Sequence, residues 1–367
     1  MNKLNVAIIG YGRSGCDIHG SFLKSEANDI CKVVAVVEFD PARAAAAAAD
    51  FGCDTYSDYK ELFNRDDLDL VVNASYSDHH YPINLDLLKH GLNVLSEKPL
   101  CKKASQVQEM IDAAKANNCV FTIFHQYRFN DYYDKMVEIL DSGVLGEMKL
   151  ARVRQNYFSH RYDWQTLLYR DAGSMRNNAA HYIEQVMCLA GTDEIPEIYS
   201  RLEIWTSVGD AEDYVFAVLK YSNGKTFEVE VNPSDAYANG KLYDIYGTRG
   251  TMQVYSNKIL YKYHTDEEVP PAVLDHRSLH LSNGNPAYCN NHIVWHEEEV
   301  HLDADIMNQF GKCTNKFYHA LYDHMVNGGE LFIKPEHVKA QIAIFEEIER
   351  QNPLEVKFER PDYIVKY

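Results

Sequence analysis

The chain has 367 residues, 46% of them hydrophobic and 25% charged. That composition excludes collagen-like and disordered chains and, at about 150 residues per domain, leaves room for roughly two domains. The 54 Asp and Glu outnumber the 36 Lys and Arg, a formal net charge of −18, so neither nucleic acid nor an anionic membrane surface is expected as a partner.

Residues 4–10 form an apolar run of strand length that ends in Gly10-Tyr11-Gly12-Arg13-Ser14-Gly15, a G-x-G-x-x-G, and a helical stretch follows to about Lys24. The next run, Val33 to Val37, is rich in β-branched residues and ends at Glu38. Continuous apolar strands separated by helices indicate a parallel sheet covered on both faces. In this context the first glycine allows the turn, the second lets backbone approach a diphosphate, and the third lets the helix pack on the strand. The helix N-terminus offers unpaired N–H groups to the phosphates. Glu38 can accept the ribose hydroxyls and would repel a 2′-phosphate, which favours NAD over NADP. Arg43, further along, would offset that repulsion if it faced the site, but it falls beside a helical Ala run over 44–49 and reads as a solvated residue.

The alternation continues with a strand over 68–74, a helix over 81–90 ended by Gly91, a strand over 93–95, a helix over 104–117 and a strand over 120–124. Ligands of open α/β sheets bind beyond the carboxyl ends of the strands. Ser75-Tyr76, Glu97-Lys98-Pro99 and His125-Gln126 therefore share one rim with the glycine loop.

These pieces, with Ser75 through His80, Tyr127-Arg128-Phe129 and a helix start reaching His181, resemble the glucose–fructose oxidoreductase/inositol dehydrogenase (Gfo/Idh/MocA) family over nearly the whole chain. The resemblance implies an α/β fold in two domains. Residues 1–126 would be a Rossmann dinucleotide-binding domain. Residues 127–367 would be an α+β domain on a large, mainly antiparallel open sheet, with the last helix packing back on the first domain. It implies NAD-linked redox at a sugar, cyclitol or glycoside hydroxyl, and a homodimer or homotetramer formed through that sheet. Its cofactor contacts map onto Gly10, Tyr11, Gly12, Arg13, Ser14, Gly15, Glu38, Ser75, Tyr76, His80, Glu97, Lys98 and Gln126. Lys98 would stabilise the oxygen that gains negative charge as the carbinol loses its proton. His181 would be the base, its ordinary pKa near 6.5 suiting the task. Many members carry an aspartate where this chain has Asn177. An amide can position a hydroxyl but cannot take its proton, so no carboxylate relay is expected there. Glu184, one turn on, is a candidate to orient His181.

After Gly146 the pattern changes to a strand over 147–158, then His160-Arg161-Tyr162-Asp163-Trp164-Gln165-Thr166. Aromatic faces stack on sugar rings while polar side chains read the hydroxyls. This stretch supplies Tyr162, Trp164 and Gln165 as substrate candidates, joined by Arg128 and Asn178 through the resemblance. Strand-like runs at 198–206, 214–221, 225–232, 242–246, 251–255 and 259–263 indicate an antiparallel sheet. The sequence holds 26 tyrosines, and an aromatic sheet face suits oligomer packing. Residues 264–312 read as a long excursion that includes Pro270, Pro271, His276, His280, His292, His296 and His301. Within it His296 and His301 stand one residue too far apart for H-E-x-x-H, so no metal is expected. A closing amphipathic helix spans 336–349.

The eight cysteines include no C-x-x-C and read as reduced thiols. With no secretory h-region after Met1 and no apolar stretch of about 18 residues, the cytoplasm is the expected location. The expected activity is NAD-dependent oxidation or reduction. Two alternatives stand beside it: cleavage of a glycoside with NAD retained, and a non-catalytic dinucleotide or sugar sensor.

Overall fold

A computed structural model describes residues 3–361 except 270–272, 275, 277–278, 288–291 and 304–305. Six parallel strands form the first sheet: β1 (Leu4–Ile9), β2 (Cys31–Val37), β3 (Asp54–Tyr56), β4 (Leu70–Asn73), β5 (Val94–Ser96) and β6 (Phe121–Ile123). Their order is β3-β2-β1-β4-β5-β6. The order reverses between β1 and β4, the crevice where open α/β sheets bind their ligands. Strands β4, β5 and β6 are buried at every residue. Helices on both faces make that burial possible, which is why these strands read as unbroken apolar runs.

A π-helical segment over Arg13–Gly20 runs on into α1 (Ser21–Lys24). Helix α2 (Pro41–Phe51) starts at Asp40, whose side chain accepts from the Ala42 and Arg43 N–H groups, and stops at Gly52 in the left-handed region. Helices α3 (Ser77–Lys89) and α4 (Ala104–Ala116) complete the unit. Two details depart from the sequence reading. The short edge strand β3 was not foreseen, and α3 begins four residues earlier than expected, with Pro82 inside its N-terminal part.

The second sheet has eight strands: β7 (Met148–Asn156), β8 (Glu197–Glu203), β9 (Tyr214–Lys220), β10 (Thr226–Asn232), β11 (Lys241–Gly247), β12 (Gly250–Tyr255), β13 (Lys258–Tyr263) and β14 (His296–His301). They run in the order β14-β13-β12-β11-β7-β10-β9-β8. Only the β7–β10 pair is parallel. Alternation sorts the faces. Phe227, Val229 and Val231 turn inward and are buried. Glu228 and Asp244 turn outward, each 2.7 Å from an arginine of β7, Arg152 and Arg154 respectively. On the inner face lie α5 (Asp131–Asp141) and α6 (Ala180–Ala190), the latter buried at ten of its residues.

The segment over 296–301 is thus an edge strand and not part of an irregular excursion, its Lys258–Glu299 pair 3.3 Å apart. Pro270, Pro271 and Cys289 lie outside the described residues. Helix α7 (Ile306–Tyr322) packs on α1, with Phe22 and Tyr318 rings stacked 4.7 Å apart. Helix α8 (Pro335–Gln351) touches both sheets: it packs on α4 and β6 and also on α6 and β8. The chain then crosses back, the Lys357 and Phe358 N–H groups donating to Asp210 and Arg360 pairing with Asp78 at 3.0 Å. No helix among the described residues is long and apolar enough to cross a membrane.

The glycine loop has almost no tolerance at its third glycine. A Cβ on Gly15 would lie 1.9 Å from the Gly10 carbonyl oxygen, a backbone atom that can yield only by moving the loop. Gly15→Ala is therefore expected to lower the melting temperature by several degrees, about 2–4 °C per kcal/mol lost at this size, and to abolish NADH binding. Calorimetry and NADH fluorescence check both.

Candidate active site

Above the carboxyl ends of β1 and β4 opens a cleft of about 420 Å³. The first turn of the Arg13–Gly20 segment faces it, and no side chain caps that helix start. Gly12, Arg13 and Ser14 line the cleft, with Glu38 at the end of β2. Gly10, Tyr11 and Gly15 stand behind this lining. Gly10 adopts φ +85°, and Tyr11 is buried, its hydroxyl 2.5 Å from Asp50.

On the opposite rim are Ser75, Tyr76 and His80 from the start of α3, and Gln126 after β6. The buried His80 ring places Nδ1 2.7 Å from the Pro99 carbonyl and Nε2 3.0 Å from the Ser75 carbonyl. It thereby ties the Glu-Lys-Pro turn to the loop after β4. The Lys98–Pro99 peptide is cis. Glu97 is buried beneath the cleft, 3.3 Å from His19 Nε2. Burial would raise the Glu97 carboxyl, but His19, Lys98 and His80 around it hold it below its ordinary value.

Lys98 comes from the first sheet and Asn177 from the helix start under the second. The ammonium donates to the Asn177 carbonyl at 2.8 Å and to its Oδ1 at 3.0 Å. Burial, with Arg13 and Arg161 nearby, pushes Lys98 down to about 8, against the pull of Glu97. His181 lies on the same wall, stacked on the Tyr127 ring at 4.1 Å. Burial, then the charges of Lys98 and His125, hold it well below its ordinary value. Its surroundings thus favour the neutral imidazole, where the sequence placed its pKa near 6.5. Asn178 donates to the Tyr157 hydroxyl at 3.0 Å, and Trp164 meets Tyr76 edge-on at 5.1 Å. Gln165 Nε2 donates to Asn177 Oδ1 at 3.4 Å.

The cleft suits a dinucleotide on its own evidence. An uncapped helix start faces it, a Cβ at Gly12 would meet nothing within 4 Å, and buried polar atoms of its lining, among them Gln126 Oε1, Gln155 Oε1 and His181 Nδ1, have no hydrogen-bond partner.

Four expectations need correction. Arg128 does not reach the cleft: its guanidinium donates to Glu184 at 2.6 Å, contacts Cys188 and lies over the Phe332 ring. Glu184 consequently does not orient His181, because its buried carboxylate faces Arg128 and His337. Tyr162 is 85% exposed and does not line the cleft itself, bordering instead an adjoining groove that shares Arg13, Gln155 and Asn178 with it. Arg43 is a partly exposed residue of α2 but is not remote from the site, since its guanidinium lies 2.9 Å from Glu38 and it lines the cleft. Sequence reasoning gave no role to the lining residues Gln155 and Phe310. Gln155 shares the inner face of β7 with buried Val153, so its polarity on that face was the one available signal, while Phe310 arrives from a helix far along the chain and no local pattern marks it.

Removing Arg128 would strand a carboxylate inside α6. Arg128→Ala is expected to cost about 3–5 kcal/mol in urea unfolding while leaving NADH affinity within about threefold.

The comparisons with known proteins agree with this geometry. Residues 4–125 match a family described as an oxidoreductase family with an NAD-binding Rossmann fold, and residues 133–253 match the GFO/IDH/MocA C-terminal domain. A levoglucosan dehydrogenase of Pseudarthrobacter phenanthrenivorans is 23% identical, the alignment covering 80% of this chain and 84% of that protein. A scyllo-inositol 2-dehydrogenase (NADP(+)) of Bacillus subtilis is 22% identical over 70% of each chain. Among solved structures, levoglucosan dehydrogenase in complex with NADH and levoglucosan superposes with a TM-score of 0.77 at 18% identity, covering 95% of this chain and 97% of that one. The chain belongs to the Gfo/Idh/MocA family of oxidoreductases.

Proposed function

We propose that the protein oxidises a secondary hydroxyl of a sugar, cyclitol or glycoside with NAD, or reduces the matching ketone. The observation that carries this reading is the Lys98 ammonium, half-buried and held by both oxygens of Asn177, in a cleft shared with the glycine loop, Glu38 and His181. Gly12, Arg13 and Ser14 would hold the diphosphate, Glu38 the adenosine ribose, and Tyr76, His80 and Gln126 the opposite rim. When bound, the nicotinamide supplies the hydride acceptor or donor.

Lys98 stabilises the substrate oxygen as its proton leaves, because a cation fixed in a water-poor site needs no reorganisation. Neutral His181 accepts that proton at a ring nitrogen. Asn177 fixes the ammonium and, lacking a carboxylate, takes no proton itself. Trp164 offers a ring face to the apolar side of the sugar, while Gln165 and Asn178 read its hydroxyls. The protein would work in the cytoplasm as a homodimer or homotetramer, packed through the outer face of the eight-stranded sheet, where exposed Tyr199 accompanies the charged pairs.

A panel of sugars and cyclitols with NAD, read at the NADH absorbance, tests the reading. Lys98→Ala is expected to lower kcat on the best substrate by about 10²–10³, and wild-type activity from the variant sinks the mechanism. Aglycone release without NADH accumulation would mark redox-neutral cleavage instead, and NADH binding without turnover a sensor.

The pH profile gives a second test. The ammonium form of Lys98 is the working one, so activity should fall as pH rises through about 8, with no limb near 6.5 from His181. Glu212 also titrates near neutrality, pushed up to about 7 by burial beside the Met175 N–H. Lys98→Arg should remove the limb near pH 8, and Glu212→Gln should leave it in place.

A further inference from the structure

Glu97 is the carboxylate whose charge works against the lowering of Lys98, and it is itself buried. A buried carboxylate stays ionised only where partners replace the water it has lost. Its Oε2 accepts the Lys98 backbone N–H at 3.1 Å. Its Oε1 faces His19 Nε2 at 3.3 Å, and among the described residues neither atom has a hydrogen bond elsewhere. His19 is fully buried against Phe124, with ring centroids 4.5 Å apart, and its Nδ1 lies 2.8 Å from the Tyr318 hydroxyl of α7. A lone pair turned to a carboxylate is repelled, so the ring carries its hydrogen at Nε2. In the neutral ring Nδ1 is then the acceptor, and the Tyr318 hydroxyl donates to it. His19 does not line the cleft.

We propose that His19 is a positioning residue, which keeps Glu97 ionised and thereby sets the proton affinity of the Lys98 ammonium. The proposal rests on the reading of Lys98 given above and extends it to a side chain beneath the cleft. The other titratable or charged neighbours are His80 and His125 at Glu97, and Arg13, Arg161, His125 and His181 at Lys98. Burial favours the neutral form of those three histidines, and the arginines keep their charge. His19 is thus the neighbour whose loss changes what the carboxylate meets. Without an N–H at that place, burial raises the Glu97 carboxyl towards the neutral acid. A neutral Glu97 no longer attracts the ammonium, so Lys98 gives up its proton at lower pH.

Two pH profiles on the full chain test this. One is the rate at which acetic anhydride labels Lys98 in cofactor-free protein, read by mass spectrometry. The other is kcat on the best substrate. In the wild type both should break at about 8. His19→Phe keeps a ring of similar size and should move both breaks down by at least about half a pH unit, roughly threefold in proton affinity. His19→Asn, whose amide reaches the place of Nδ1 but not of Nε2, should do the same and serves if His19→Phe does not fold. His19→Gln can present an N–H at the place of Nε2 and should leave the breaks within about 0.2 unit of wild type. Thermal melts identify the folded variants. A labelling break that stays in place or moves up in His19→Phe or His19→Asn overturns the inference, and so does a His19→Gln variant that shifts as far as they do. A labelling break that moves down while the kcat break stays upholds the inference and overturns the catalytic reading of Lys98 instead.

Discussion

The site depends on one half-buried ammonium that, among the described residues, has no carboxylate in hydrogen-bonding reach. Lys98 is held by a backbone carbonyl and an amide oxygen of one residue, and those dipoles replace only part of the hydration it gives up. The remaining deficit appears as its lowered pKa. It also makes the position ready for a substrate oxygen that acquires negative charge, since such an oxygen would be the first full anion the ammonium meets at close range. A carboxylate at position 177 would have met that need before any substrate arrived. Asn177 leaves it open.

Holding a lysine and a histidine from different sheets against one another requires fastenings on the far side of the helix that carries the histidine. Arg176, 1% exposed, donates to Glu349 of α8 and to the Cys101 and Lys102 carbonyls just past the Glu-Lys-Pro turn. One guanidinium thus joins the strand end bearing Lys98, the helix start bearing Asn177 and the C-terminal helix. Farther along, Arg128 and Glu184 form a second buried tie, with His337 of α8 beside it and Asp193 2.5 Å from that histidine. Burial raises the Glu184 carboxyl, and Arg128 and His337 work against that rise. Buried pairs of this kind add little net stability but are costly to break, which suits residues whose task is placement.

Legibility in the sequence followed the range of the interactions. The glycine loop, Glu38 and the apolar strands are read within a few residues of themselves, and they fall where expected. So does the rim, because a parallel sheet delivers every strand end to one side. Arg128 and Glu184 failed as site residues because they sit 56 positions apart, and their attraction leaves no trace in local pattern. Arg43 failed for the opposite reason. Its partner is only five residues away, but the turn between strand and helix that brings them together is invisible to helical periodicity. Strand β14 carries charged residues on both flanks and pairs with β13 across the long stretch 264–295, so period-two alternation could not reveal it.

Helix α8 has a consequence for how such proteins can be recombined. It belongs to the second half of the chain, yet Glu346 accepts the N–H of Ala104 at the start of α4, and Thr122 of β6 donates to the Ile333 carbonyl just before the helix. A chimera joined near residue 126 would put a foreign helix against α4 and β6 of a nucleotide-binding half shaped for this one. Exchange of halves between relatives is therefore constrained at a surface remote from the cleft, and a workable graft has to move the closing helix together with the amino-terminal half.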